Sequence, residues 1–187
     1  MIKHYRPSFA FAALFVLCIS LPVYAACDDA GSFIESSCKT LSDTWTEGDN
    51  DLYLPLHTYH LRSAYSDEKI DSFNESPWGL GYGRSRYNEK GNWDGIYGMA
   101  FLDSHSRVEP MLGYGHEWMW GDQHALHAGL GYTVFVTARK DIGNYTPLPG
   151  ILPIASVNYK QAAVNATFVP GGKGNGNIFF FWSRFGF

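Results

Sequence analysis

Between Ala125 and Arg139 the chain alternates with a period of two over fifteen residues. Leu126, Ala128, Leu130, Tyr132, Val134 and Val136 fall on one face. His127, Gly129, Gly131, Thr133, Thr137 and Arg139 fall on the other, joined by Phe135. Side chains on a strand alternate sides, so this is one strand with an apolar face and a face of small or polar residues. Soluble proteins usually use strands of about five or six residues. A tilted strand crossing a bilayer needs about 9–11 and can continue into solvent. A strand this long, apolar on one side, points to a membrane-spanning β-barrel, with a secreted soluble β protein as the rival.

The same split recurs along the chain. Tyr53, Tyr59 and Leu61 oppose Thr58, His60 and Arg62. Trp78, Leu80 and Tyr82 oppose Gly79, Gly81 and Gly83, and Phe179, Phe181, Phe185 and Phe187 oppose Ile178, Phe180, Trp182 and Arg184. Strands are expected at 52–66, 77–88, 92–103, 106–120, 123–139, 150–160, 161–170 and 177–187, eight in all. An even number of antiparallel strands can close into a barrel, which leaves no unpaired edge facing lipid. The turns near 88–92, 120–123 and 160–161 are short, while 66–77, 139–150 and 170–177 are longer and rich in polar residues, Gly and Pro. Short turns on one side and long loops on the other are the outer-membrane pattern. Strand parity then brings His60 and the turn after residue 102 to the same, external end. Residues 28–46 read as a helix, because Ile34, Cys38, Leu41 and Trp45 share one face. Such a stripe suits a helix at a membrane interface, and it equally suits a surface helix of a soluble domain.

Residues 1–25 read as an export signal, with Lys3 and Arg6 at a basic start, an apolar run from Phe9 to Leu21, and Val23-Tyr24-Ala25 as the cleavage pattern. The barrel domain is then 26–187. The whole chain carries a net charge of −4, and removing Lys3 and Arg6 makes it more negative. That balance argues against nucleic acid as a partner. Cys18 leaves with the signal, while Cys27 and Cys38 either pair in an oxidising compartment or stay as free thiols. After residue 25 no apolar run approaches the ~18 residues of a membrane helix.

Candidate chemistry gathers in Tyr97–Gly115. Its turn carries Asp103, Ser104 and His105, which suit acid–base or nucleophilic work. Asp-Ser is also ordinary turn chemistry. Glycines 79, 81, 83, 113, 115, 129 and 131 all fall on inward faces, where they either leave a slot for a ligand or ease strand bending. His60 is a candidate base, or an interior histidine held by Arg or Glu. No metal site is expected: His57 and His60, like His124 and His127, are three apart and point to opposite faces of a strand. Arg62, Arg139, Arg184 and Glu117 read as interior ion pairs. Pro55, Pro77, Pro153 and Pro170 lack the donor a ladder needs, and read as gaps in the wall or as the ends of pairing near the rim.

The segments DLYLPLHTYH, NESPWGLGYG, EKGNWDGIYGMAFLDS, EPMLGYG, PLPGILPIASV and NGNIFFFWSRFGF, in that order, resemble the outer-membrane lipid A palmitoyltransferase family, PagP, from about Trp45 to Phe187. The resemblance implies an eight-stranded outer-membrane barrel with an N-terminal interfacial helix. A monomer is expected because one closed sheet satisfies its own backbone, and no cofactor is expected. It implies transfer of a palmitoyl chain from the sn-1 position of a phospholipid to a hydroxyacyl chain of lipid A. The family's functional histidine, aspartate and serine match His60, Asp103 and Ser104. On this reading His60 is the base, Asp103 orients or charge-stabilises it, and Ser104 contacts the reacting carbonyl. Gly115 matches the floor of the acyl pocket, with Tyr97 and Met99 placed alongside the chain. Pro55 with Pro77 and Pro153 with Pro170 match its lipid-access gaps. Lys69 matches a loop lysine linked with lipopolysaccharide recognition, while a gating tyrosine of the family falls at Lys173. A non-catalytic barrel and a phospholipase are the competing readings.

Overall fold

The computed structural model describes residues 31–172 and 175–187. The expected export signal, Cys27 and Lys173 lie outside the described residues. The chain divides into two compact units, residues 1–42 and 43–187. Helix α1 (Ser32–Glu47) begins in the first and ends in the second. Its Phe33, Ile34, Leu41 and Trp45 are exposed, and Cys38 is in a disulfide. In the second unit, Arg86 is clamped by Asp43 at 3.1 Å and Glu47 at 2.9 Å.

Eight strands follow: β1 (Asp49–His60), β2 (Gly79–Tyr87), β3 (Trp93–Leu102), β4 (Val108–Gly121), β5 (Leu126–Ala138), β6 (Pro147–Tyr159), β7 (Ala162–Val169) and β8 (Ile178–Gly186). They pair antiparallel in chain order, and β8 returns to β1 to close the barrel. One end carries loops 61–78, 103–107, 139–146 and 170–177; the other has the short turns 88–92, 122–125 and 160–161. β1 stops at His60, short of the expected residue 66. A 3₁₀ turn (Arg62–Ala64) and a short helix, α2 (Asp67–Asp71), take over there. Among the described residues no helix is long and apolar enough to cross a membrane.

The alternation decides which way each side chain faces. Outward residues are large and apolar yet open, as with Ile151 at 67% and Leu126 at 66% exposure. Soluble monomers do not expose such a continuous apolar girdle, and lipid is the medium that suits it. Inward, Tyr53, Trp93, Tyr97, Met99, Phe101, Ile154, Phe180 and Trp182 form one apolar cluster. Toward the short turns the interior turns polar: Arg184 contacts Asp51 at 3.3 Å and Asn158 at 3.0 Å.

Two expectations about facing are corrected. Tyr53 points inward and is only 1% exposed, unlike Tyr59. The β1–β8 register slips between Pro55 and His57, so Leu56 is an extra residue. A bulge of one residue flips every later side chain to the other face, which puts Tyr53 on the same side as Thr58 and His60. Arg62 is not an interior ion-pair residue; its side chain is 45% exposed at the rim.

Three glycines of β3 and β4, Gly95, Gly113 and Gly115, are seats for aromatic rings. A Cβ at Gly95 would lie 2.3 Å from Trp93 Cζ2, and one at Gly115 would lie 2.9 Å from Trp93 Cζ3. At Gly113 the Tyr97 hydroxyl would stand 2.6 Å from it. Open space begins above this layer.

Candidate active site

The β1–β2 ladder ends at Tyr53–Gly81, so β1 beyond Tyr53 is paired only with β8. The β6–β7 ladder ends at Ile154–Thr167. Both walls therefore part toward the loop end, beside Pro55 and Pro77 in one case and Pro153 and Pro170 in the other. Thr167 Oγ1 donates to the Pro153 carbonyl at 2.7 Å. That carbonyl faces β7, so the N–H that proline lacks would have faced β7 as well.

The first gap leaves two β1 donors without a strand partner, and both go to Glu75 in loop 61–78. Thr58 N–H donates to the Glu75 carbonyl at 3.0 Å, and His60 N–H donates to Glu75 Oε1 at 3.1 Å. His60, only 2% exposed, also places Nδ1 3.0 Å from Glu75 Oε1. A carboxylate only accepts, so Nδ1 carries the proton and Nε2 presents its lone pair. Nε2 lies 3.0 Å from Ser104 Oγ. Phe73 stacks on the imidazole at 4.2 Å, and Tyr65 meets its edge at 5.5 Å. Arg62 grips both Glu75 oxygens, at 2.8 and 2.7 Å. Those bonds are the main reason the Glu75 carboxyl is held down at about 2.

Ser104 is set by the turn before β4. Asp103 Oδ1 accepts the backbone N–H groups of His105 and Arg107, each at 2.8 Å. Ser106 takes the left-handed φ of 58° that this tight turn requires. Asp103 therefore holds the turn, and the expected contact between Asp103 and the His60 ring is made by Glu75. The second Asp103 oxygen is buried and has no hydrogen-bond partner.

Two cavities meet at Ser104. One, of about 220 Å³, is an apolar well walled by Phe101, Met111, Phe135, Leu152 and Phe180, with Asp103 and Ser104 at its brim. The other, of about 240 Å³, is a polar vestibule bordered by Ser104, His60, Lys69, His105, Arg139 and Pro170. Arg139 pairs with Asp141 through two bonds of 3.0 and 2.9 Å. Tyr97, Met99 and Gly115 do not line the well; Tyr97 and Met99 belong to the packed cluster beneath it, and Gly115 lies under the Trp93 ring. Among the described residues no group of His, Cys, Asp or Glu could hold a metal ion. Glu75 was missed by strand periodicity because it sits in a loop, although it lies within the NESPW segment.

A closed barrel with a lipophilic outside, an apolar well inside, and a hydroxyl–imidazole pair at the brim defines a class: eight-stranded barrels with an apolar girdle, an interior well and acid–base side chains at its rim. Residues 40–184 match the family described as antimicrobial peptide resistance and lipid A acylation protein PagP, and the chain belongs to that family. It is 63% identical over 169 residues to the lipid A acyltransferase PagP of Methylobacillus flagellatus, covering 90% of this chain and 92% of that protein. It is 48% identical over 178 residues to that of Bordetella parapertussis, covering 95% and 98%. With the Citrobacter rodentium protein of the same name the identity is 45% over 182 residues, covering 96% and 94%.

Proposed function

We propose that this protein moves a palmitoyl chain from the sn-1 position of a phospholipid to a hydroxyacyl chain of lipid A in the outer membrane. The position of Ser104 carries the reading: its hydroxyl lies 3.0 Å from His60 Nε2, and it borders both the apolar well and the polar vestibule. An acyl chain seated in the well presents its ester at Ser104. A phosphorylated sugar headgroup in the vestibule meets Lys69 and Arg139.

His60 takes the proton from the acceptor hydroxyl as that oxygen attacks the donor ester. Ser104 donates to the carbonyl oxygen as it gains charge. The lysophospholipid oxygen leaves with the proton held by His60. One ester is exchanged for another, so no cofactor is called for. Asp103 keeps Ser104 in place through the turn. The parted walls at Pro55–Pro77 and Pro153–Pro170 are where lipid tails slip in sideways. Gly115 limits the depth of the well through Trp93, with Tyr97 and Met99 between them. The exposed apolar stripe of α1 suits a seat at the bilayer surface. A single closed sheet satisfies its own backbone and supports a monomer.

The Ser104–His60 contact also favours a second reading, in which Ser104 attacks the donor ester and carries the acyl group before lipid A receives it. Trapping an acylated Ser104 peptide by mass spectrometry would select that order. For the function itself, refolded protein is incubated with labelled phosphatidylethanolamine and lipid A. Label on lipid A supports the proposal. Label in free fatty acid makes the protein a phospholipase, and label that stays on the donor makes it a non-catalytic barrel.

A further inference from the structure

The geometry points to Glu75 as the residue that positions His60 for catalysis, with Arg62 holding Glu75 in place. This rests on acyl transfer at His60 as proposed above.

Three observations converge on it. First, one Glu75 oxygen binds both the His60 backbone N–H at 3.1 Å and the ring Nδ1 at 3.0 Å. The ring is thereby fixed in position and in tautomer, with Nε2 aimed at Ser104. Second, Arg62 spans both carboxylate oxygens, a fork-to-fork pairing that fixes orientation as well as charge. Third, the parted β1–β2 wall gives loop 61–78 access to β1 at that point, since Thr58 and His60 have donors that no strand uses. When His60 takes a proton, the imidazolium faces Glu75 on one side, with Arg62 and His105 as the nearby groups of like sign. Glu75 is the only negative group among these, and it sits at hydrogen-bond distance. An orienting carboxylate behind a catalytic histidine contributes up to about 10⁴-fold in the best-studied triads.

A carboxylate answering the orphaned His60 N–H would also serve as a plain strand cap, so the test must separate the roles. Glu75→Gln keeps an oxygen for both His60 donors and leaves the backbone cap; it removes the charge, and with it the second oxygen that accepts from Arg62. We expect a fall of about 10²-fold or more in kcat with KM little changed. The acid limb of the pH–rate profile should also move to lower pH, because the imidazolium has lost its negative neighbour. Glu75→Asp should restore part of the rate, and Arg62→Lys, which loses the fork, should fall between wild type and Glu75→Gln. Heat-modifiable migration on gels checks that each barrel is folded. Nitrogen NMR of the His60 ring gives a readout free of turnover: Nδ1–H should dominate in wild type, and its exchange with water should quicken in Glu75→Gln.

Wild-type rate and an unshifted profile in folded Glu75→Gln would overturn the assignment while leaving acyl transfer standing. No transfer by wild type would sink the proposed function instead. In that case the ring spectra alone decide, and an Nε2–H tautomer or unchanged exchange would overturn the role of Glu75.

Discussion

Replacing Gly115 by Met tests whether the layer beneath the well sets its depth. The new Cβ alone would lie 2.9 Å from Trp93 Cζ3 and 3.3 Å from Ile154 Cδ1. Trp93 has little room to retreat, because its ring already rests on the Gly95 backbone and the Arg184 guanidinium lies 4.9 Å over its face. The overlap must therefore pass toward Tyr53 and Tyr97, whose rings are 5.5 Å apart, and from there into the well. If that displaces two methylenes of a bound chain, at ~0.8 kcal/mol each the loss is about 1.6 kcal/mol. That is roughly a 15-fold drop in kcat/KM for a palmitoyl donor relative to one two methylenes shorter. The assay is competition between labelled palmitoyl and myristoyl phospholipids for one lipid A acceptor, read by mass spectrometry of the product. Wild-type selectivity in a folded Gly115→Met barrel would refute the idea that depth is transmitted through Trp93.

Ser104→Ala should abolish transfer to lipid A without unfolding the barrel, as read by product formation and by circular dichroism. The Glu75 carboxyl, held at about 2 against an ordinary 4.5, stabilises its loop fully above the ordinary value and loses that contribution as pH falls toward about 2. The protection of residues 61–78, taken as hydrogen exchange relative to the unstructured chain at the same pH, should therefore fall across that window in wild type and stay level in Glu75→Gln. Asp51→Ala leaves the buried Arg184 guanidinium without its 3.3 Å anionic partner and should cost about 3–5 kcal/mol in urea unfolding from lipid vesicles. Thr167→Val removes the donor to the Pro153 carbonyl at the β6–β7 gap. It should change the rate of donor uptake while leaving chain-length selectivity as it is, measured by pre-steady-state transfer.

Much of the architecture was legible in one dimension because a strand has a period of two. Whenever apolar and small residues alternate, as from Leu126 to Thr137, the pattern assigns a side to each residue, and the described barrel keeps those sides. The count of strands, the long loops at one end and the shared end for His60 and Ser104 follow from the same parity. Parity fails where the backbone breaks its own rhythm. Leu56 is an extra residue opposite β8; the neighbouring Pro55 is as compatible with an edge as with a bulge, so strict alternation through DLYLPLHTYH puts Tyr53 on the wrong face. Loops carry no periodicity at all. Glu75 reaches His60 because a missing ladder leaves two donors for it to answer, and that relation across 15 positions exists only once the chain is closed. The depth of the well is likewise a tertiary quantity. Glycine at 113 and 115 announces that something approaches the backbone, but only packing decides that the visitors are the rings of Tyr97 and Trp93, so that the open space starts one layer higher.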